Sequence, residues 1–348
     1  MPRVLVLFSG GLDSTLAARL LQEQPGLTVE GIHFTSIFTA NHPATSEALP
    51  ARRLARDLGL PLRVEENGCD LLLLVKRPRF GLGRNMNPCI DCRIRNLRRA
   101  LEVMREIGAD FIATGEVVGE RPMSQNRQAL RLVEKESGAD GLLLRPLSAR
   151  LLEPTIPELR GWVDRERLLD ISGRSRKRQM ELARLYGIKR YQTPAGGCLL
   201  TDPGFGARMR DLVAHDPECG LDDCALLKVG RHFRLGPRLK MVVGRNQEEN
   251  DVIESLARGD DLLLEAAAVP GPTTLLRGEA DDEKLRVAAA VTARYGKAFS
   301  RPLVAVRVRR PGSAVAERII EVAPARDDAI APLRIGITEG TRNVRGAE

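Results

Sequence analysis

The sequence predicts an α/β protein: a doubly wound parallel sheet first, then a helical extension, then a smaller α+β domain. Three observations carry that expectation. Strand-length apolar runs alternate with helical patterns through the first 150 residues, the alternation of a sheet covered on both faces. A turn rich in glycine and hydroxyl residues, "FSGGLDS", separates the first apolar run from the first helix. Beyond residue 223 the order changes to strands grouped around helices. The expected boundaries are 1–150, 151–222 and 223–312, with a carboxy-terminal tail over 313–348.

In chain order, "RVLVLFS" reads as a strand and "STLAARLLQEQ" as a helix with Leu16, Ala17, Leu20 and Leu21 on one face. "LTVEGIHFTS" is a second strand, "SEALPARRLARDLGL" a helix ended or kinked at Pro50, and "PLRVEEN" a third strand. "CRIRNLRRALEVMREIGAD" is strongly amphipathic, with Ile94, Leu97, Leu101 and Met104 at helical spacing, and "FIATGE" is a strand running into a glycine turn. In such sheets ligands bind beyond the carboxyl ends of the strands. From Leu151 to Leu199 the pattern is mainly helical. "RHFRLGPRLKMVVGRNQEENDVIESLARGDDLLLEAA" places strands around a helix, "DEKLRVAAAVTARYGKAF" is a helix and "PLVAVRVRR" a strand; the tail is weakly patterned.

The net charge of +8 and pI near 9.5 point to a polyanionic partner, because cations gain affinity by displacing counterions from phosphate backbones. Between Lys76 and Arg99 eight basic residues face one acid, Asp91, and a second basic cluster lies at Gly173–Gln179, "GRSRKRQ". No long uncharged apolar stretch occurs, so neither a membrane span nor a signal peptide is expected, and the expected location is the cytoplasm. Six cysteines in 348 residues are too few for a disulfide scaffold.

In the glycine turn, Gly10 and Gly11 let the main chain approach a ligand and expose its N–H groups, Ser9, Ser14 and Thr15 add hydroxyls, and the following helix aims its positive end at the same place. A Walker lysine is missing. "SGGLDS", Ser9 to Ser14, resembles the PP-loop of the N-type ATP pyrophosphatase superfamily, whose fold is that of the adenine nucleotide alpha hydrolases and which splits ATP between its α and β phosphates. The resemblance implies that Ser9, Gly10, Gly11, Asp13, Ser14 and Thr15 bind ATP, with Asp13 meeting Mg2+. It also implies adenine near Ile32 and Phe34, and a pocket closed by Thr114 and Gly115 of "ATGE".

"RNMNPCIDCRIRN" sets Cys89 and Cys92 at a spacing that chelates a metal or cluster or forms a redox pair, with Arg84 and Arg93 nearby to favour thiolates. Cys198 follows two glycines in "PAGGCLLTDP". "NPCxxC" with a distant turn cysteine behind a PP-loop resembles the tRNA thiolases, among them the tRNA 2-thiouridylases and 4-thiouridine synthetases. The resemblance implies Cys89, Cys92 and Cys198 as ligands of a 4Fe-4S cluster; a persulfide on Cys198 resolved by another cysteine uses the same residues without iron. Cys219 and Cys224 read as structural thiols rather than half a zinc site, and Cys69 as core. Glu116 stands where many 2-thiouridylases have histidine, so the target nucleotide does not carry over. Arg121, Ser124 and Gln125 face ATP or the base, or belong to a solvated loop.

Lys228 to Arg310 resembles the NFACT RNA-binding domain through "VGRNxxEND", departing from it at Leu262–Glu265. Arg245 and Asn246 then contact RNA or only shape a turn. The whole reading is an ATP-dependent tRNA sulfurtransferase. Asp13, Cys89, Cys92 and Cys198 do its chemistry, and Arg77, Arg79, Arg84, Arg174, Arg176, Lys177 and Arg245 hold RNA. Its partners are tRNA and a sulfur donor, either sulfide or a cysteine-desulfurase product, and a homodimer is left open. The rival readings are a zinc-binding PP-loop ligase of modified-nucleoside biosynthesis and a non-enzymatic RNA-binding protein.

Overall fold

The structure, a computed structural model, describes residues 1–39, 48–121, 123–191, 197–313, 315 and 317–336. The chain divides between Leu199 and Leu200 into two compact units. In the first, β1 (Arg3–Leu7), α1 (Leu12–Gln22), β2 (Thr28–Thr35), α2 (Pro50–Asp57), β3 (Leu62–Glu66), α3 (Gly68–Lys76), α4 (Cys89–Glu106), β4 (Phe111–Thr114), α5 (Arg127–Ser137) and β5 (Leu143–Leu144) follow in order, then α6 (Ile156–Leu159) and α7 (Lys177–Leu185). The five strands pair in parallel in the order β3-β2-β1-β4-β5.

Alternation along β1 explains the double winding. Val4 and Val6 point into a core with Ala18 and Leu21 of α1 and Leu54 of α2, while Leu5 points into another with Ile94, Leu97 and Leu101 of α4. Pro50 is the first residue of α2, where its missing N–H costs nothing, rather than a kink within a longer helix; Ser46 and Glu47 of the expected first turn lie outside the described residues. Cys69 is not core but exposed. It sits in the first turn of α3 on the same side as exposed Leu73, four residues on, while Leu71, Leu72 and Val75 face inward.

In the second unit come α8 (Pro203–His215), α9 (Leu221–Leu226), β6 (Arg231–Gly236), β7 (Leu239–Val243), α10 (Gln247–Ser255), β8 (Leu262–Ala266), β9 (Thr274–Arg277), α11 (Asp282–Tyr295), β10 (Val304–Arg309), β11 (Arg318–Val322), α12 (Asp327–Ile330) and β12 (Arg334–Ile335). The sheet is antiparallel, in the order β11-β10-β8-β9-β7-β6-β12. Met241 and Val243 pack under α11, while Val242 between them packs with Ile253 of α10. The weakly patterned residues after 312 supply the strands at both edges. Cys219 and Cys224 are buried. No helix of the described residues is long and apolar enough to cross a membrane.

Candidate active site

β1 carries the chain to the carboxyl edge of the parallel sheet, where Ser9–Ser14 turns into α1. Gly10 holds φ 77°, a left-handed conformation that a side chain would strain. The Gly11 carbonyl accepts from Thr15 N at 3.1 Å, Ser14 Oγ at 3.1 Å and Thr15 Oγ1 at 2.8 Å, and Ser9 Oγ lies 3.0 Å from Ser14 Oγ. The hydroxyls therefore brace the loop around the positive end of α1. Gly115 presses on the same place: a Cβ there would stand 2.4 Å from Ser14 N. Only glycine permits that approach.

A cavity of about 740 Å³ opens at the strand ends. Ser9, Gly11, Asp13 and Ser14 line it, with Ile32, His33 and Phe34 from β2, Thr114, Gly115 and Glu116 after β4, Arg93 and Asn96 from α4, then Glu120, Arg121, Gln125, Arg176 and Cys198. Gly10 and Thr15 are behind the lining; Thr15 is fully buried. His33 is buried and its Nδ1 lies 2.8 Å from the Phe8 carbonyl; burial lowers its pKa, so the neutral ring donates there.

Burial raises the Asp13 carboxyl above its ordinary pKa, against the pull of Arg176 and Arg121. Arg176 Nη2 approaches Asp13 Oδ2 at 3.4 Å, while Asp13 Oδ1 is buried without a protein partner. Glu120 is raised too, by burial and then by Asp13, and stands 3.6 Å from Arg176. Glu116 is shifted the other way. Burial opposes its charge, but Arg93 at 3.3 Å and Arg145 at 3.0 Å hold its carboxyl below the ordinary range. Arg145 also meets Glu134 at 2.8 Å, and Arg93 donates to the Ser124 carbonyl.

Cys89 begins α4, and Cys92 lies one turn along. Asn87 Nδ2 donates to Cys89 Sγ at 3.1 Å; Asn96 Nδ2 lies 3.9 Å from Cys92 Sγ and its own Oδ1 accepts from Asn67 at 2.5 Å. Cys198 pairs with Thr39 in an antiparallel bridge, and Leu199 N donates to the Phe38 carbonyl at 2.8 Å, holding Cys198 at the cavity wall. Burial pushes the Cys92 thiol up to about 12; Cys198 and Cys89 add to the rise, and Arg93 and Arg95 oppose it. Cys92 is thus near enough to both Cys198 and Cys89 to feel their charge. Among the described residues, no three His, Cys, Asp or Glu side chains gather around one ion position.

The sequence-derived RNA contacts separate on the structure. Arg77, Arg84, Arg174 and Lys177 are exposed. Arg79 is held by Glu136 at 2.6 Å and stacks over Phe80. Arg176 faces the cavity. Arg245 is clamped by Glu249, and Asn246 caps α10 by accepting from Glu249 N at 2.9 Å. Ser124 and Gln125 are buried rather than solvated. The sequence expectation around Ile32 to Phe34 covers His33, and Arg93 was expected only beside the cysteines, whereas Asn96 and Glu120 were passed over as cavity residues. Of these two, Asn96 carried a signal, standing one helical turn beyond Cys92.

Residues 2–157 match the family model described as tRNA methyl transferase HUP domain, and residues 230–333 that described as NFACT protein RNA binding domain. Over 160 residues the chain is 32% identical to the tRNA-specific 2-thiouridylase MnmA of Trichlorobacter lovleyi, covering 45% of each chain. It thus spans about half the length of that relative. Among solved structures, a 4-thiouridine synthetase–RNA complex with bound ATP matches at 25% identity and TM-score 0.39, over 57% of this chain and 44% of that one. The U34-tRNA thiolase NcsA of Methanococcus maripaludis, with its 4Fe-4S cluster, matches at 18% identity and TM-score 0.32, over 65% and 73%. By its family-model match and its 2-thiouridylase relatives, the stretch 2–157 is a HUP domain of the tRNA-modifying type, and an NFACT-type RNA-binding domain follows it over residues 230–333 of the same chain.

Proposed function

We propose that the protein thiolates RNA, with tRNA as the substrate, at the expense of ATP. The supporting observation is that Cys198 and the Ser9–Ser14 turn line one cavity, with Cys92, one helical turn from Cys89, near enough to Cys198 to feel its charge. A base carbonyl oxygen attacks the α-phosphorus, pyrophosphate leaves, and a sulfur nucleophile displaces AMP to leave a thiocarbonyl. The loop N–H groups and the start of α1 would hold the departing pyrophosphate. Asp13 Oδ1, buried and unpartnered, fits Mg2+, which when bound supplies Lewis-acid charge at the phosphates. Arg93, Arg121 and Arg176 supply fixed positive charge on the same cavity wall.

The sulfur site is all cysteine, with amides aimed at two of its sulfurs, a donor set suited to an iron–sulfur cluster. Cys89, Cys92 and Cys198 would be its ligands; when bound, it supplies an open iron position for sulfide. A second reading is favoured because, of the three, Cys198 alone lines the cavity. There the outer sulfur of a Cys198 persulfide attacks the adenylated carbon. Cys92 then takes the inner sulfur, and the disulfide left behind requires a thiol reductant.

Mass spectrometry of tRNA from a deletion strain tests the function: one thionucleoside should vanish, and persistence of all of them overturns the reading. Anaerobic purification with iron, sulfide and zinc analysis separates cluster, persulfide and zinc-ligase chemistries.

A further inference from the structure

Most arginines of the second unit are spoken for. Arg277 lies between Asp223 at 2.8 Å and Asp261 at 2.7 Å, Arg309 between Glu254 at 2.7 Å and Glu265 at 3.0 Å, and Arg234 meets Asp211 at 2.5 Å. One group differs. Arg208 of α8, Arg231 of β6 and Arg334 of β12 have no carboxylate ion partner among the described residues. Arg208 Nε is buried with no acceptor, and Arg231 donates only weakly, at 3.4 Å to the Gly244 carbonyl, while its guanidinium lies 4.6 Å above the Tyr295 ring.

These groups crowd one another. β12 pairs antiparallel with β6, Arg334 opposite Phe233, and the turn from β7 to α10 brings Arg245 beside them. After burial, Arg245 disfavours the charge of Arg208, and Arg334 and Arg245 disfavour that of Arg231. His232 beneath them is buried and held neutral by burial, Lys240 and Arg208. Asp202 and Glu249 favour the charge of Arg208 and Glu249 that of Arg231, but the one ion pair that Glu249 makes among the described residues is with Arg245, so four cations share few nearby carboxylates. Such a patch costs self-repulsion that a ligand rich in anionic oxygens removes, and guanidinium forks match phosphate geometry.

We propose that the edge of the second sheet carrying Arg208, Arg231, Arg245 and Arg334 is an RNA phosphate-binding face, reading backbone rather than sequence. The inference rests on the RNA-directed reading above and names the surface that would serve it. An acidic protein partner is the competing occupant; the NFACT RNA-binding match over residues 230–333, which contains Arg231 and Arg245 and ends one residue before Arg334, favours RNA.

The test is equilibrium binding of the full chain to a tRNA transcript without ATP or sulfur donor, titrated across salt concentrations. R208Q/R231Q/R334Q is compared with R294Q/R310Q/R318Q, which removes equal charge from the same unit at arginines that each face a carboxylate. The patch variant should bind about 30-fold more weakly, with the slope of log K against log salt reduced by about 2. The control should change by less than about 3-fold. R208K/R231K/R334K should keep most of the binding, which a merely misfolded face would not. Equal weakening by both glutamine triples, or unchanged RNA binding with lost affinity for polyglutamate, overturns the proposal. Because binding is read without catalysis, loss of the thiolation reading would leave this result standing, and the reverse holds.

Discussion

In the parallel-sheet unit, buried polar atoms stand without partners where the strands end, whereas in the antiparallel unit the buried acids are matched to arginines. Asp13 Oδ1, Gln125 Oε1 and both amide atoms of Gln179 are buried and unpartnered in the first unit. In the second, Asp223 and Asp261 close on Arg277, and Glu265 on Arg309. A buried unpaired polar group costs about 1–3 kcal/mol, so a protein retains several together only where something else gains by it. In the first unit Asp13 and Gln125 face a cavity lined by a phosphate-binding loop. The second spends its buried pairs on holding a sheet together and gathers Arg208, Arg231 and Arg334, none of them ion-paired among the described residues, at one edge.

The strongest way to break this contrast is Cys198→Ser. Thionucleoside formation should fall by about 10³-fold or more, measured by mass spectrometry, while Cys69→Ser stays within about 2-fold. Retained activity in the first variant would remove the sulfur chemistry from the cavity.

Glu116→Gln comes next, because it leaves Arg93 and Arg145 buried with their shared counter-charge gone. Unfolding should show a loss of about 3 kcal/mol, the lower end for a broken pair that still touches solvent. The pH dependence has a definite sign. The folded pKa of Glu116 is lowered, so its contribution is complete above the ordinary carboxylate pKa and disappears as pH falls through the folded value. The variant should therefore have a flatter acid limb than the wild type.

Asp13→Asn sharpens the comparison from the other side. The folded pKa of Asp13 is raised, so its ionisation costs stability as pH rises from the ordinary value through the folded one. The amide should raise the melting temperature at neutral pH while slowing AMP release about 10²-fold. A variant that is both less stable and fully active would contradict the assignment.

Asn246→Ala carries the smallest effect. Its side chain caps α10, so about 1 kcal/mol of stability should go, with tRNA affinity changed less than about 2-fold. A large loss of affinity would make it a contact instead.

Much of the first unit was legible because local rules wrote it. β1, the glycine turn and α1 follow from an apolar run, two glycines and helical spacing. α3 was not legible: "LLLLV" has no single face in sequence, and packing decided that Leu73 is exposed while Leu72 is buried. The same packing turned Cys69 outward. "GRSRKRQ" read as one cluster, yet burial beside Asp13 drew Arg176 away from its exposed neighbours Arg174 and Lys177. In the second unit, "VGRNxxEND" was legible as a motif, but only geometry shows Asn246 as a cap and Asn250 donating and accepting across to Gly271 and Thr273.

By itself the sequence determined the phosphate-shaped turn at Ser9–Ser14 and the one-turn spacing of Cys89 and Cys92, since backbone preferences and helical periodicity act over a few residues. Tertiary structure alone decided that Arg176 reaches Asp13 across 163 residues, that Cys198 pairs with Thr39 at the cavity wall, and that Arg334 joins Arg231 at one sheet edge. Those meetings depend on strand pairing and on burial summed over whole domains, and no short window of sequence contains either.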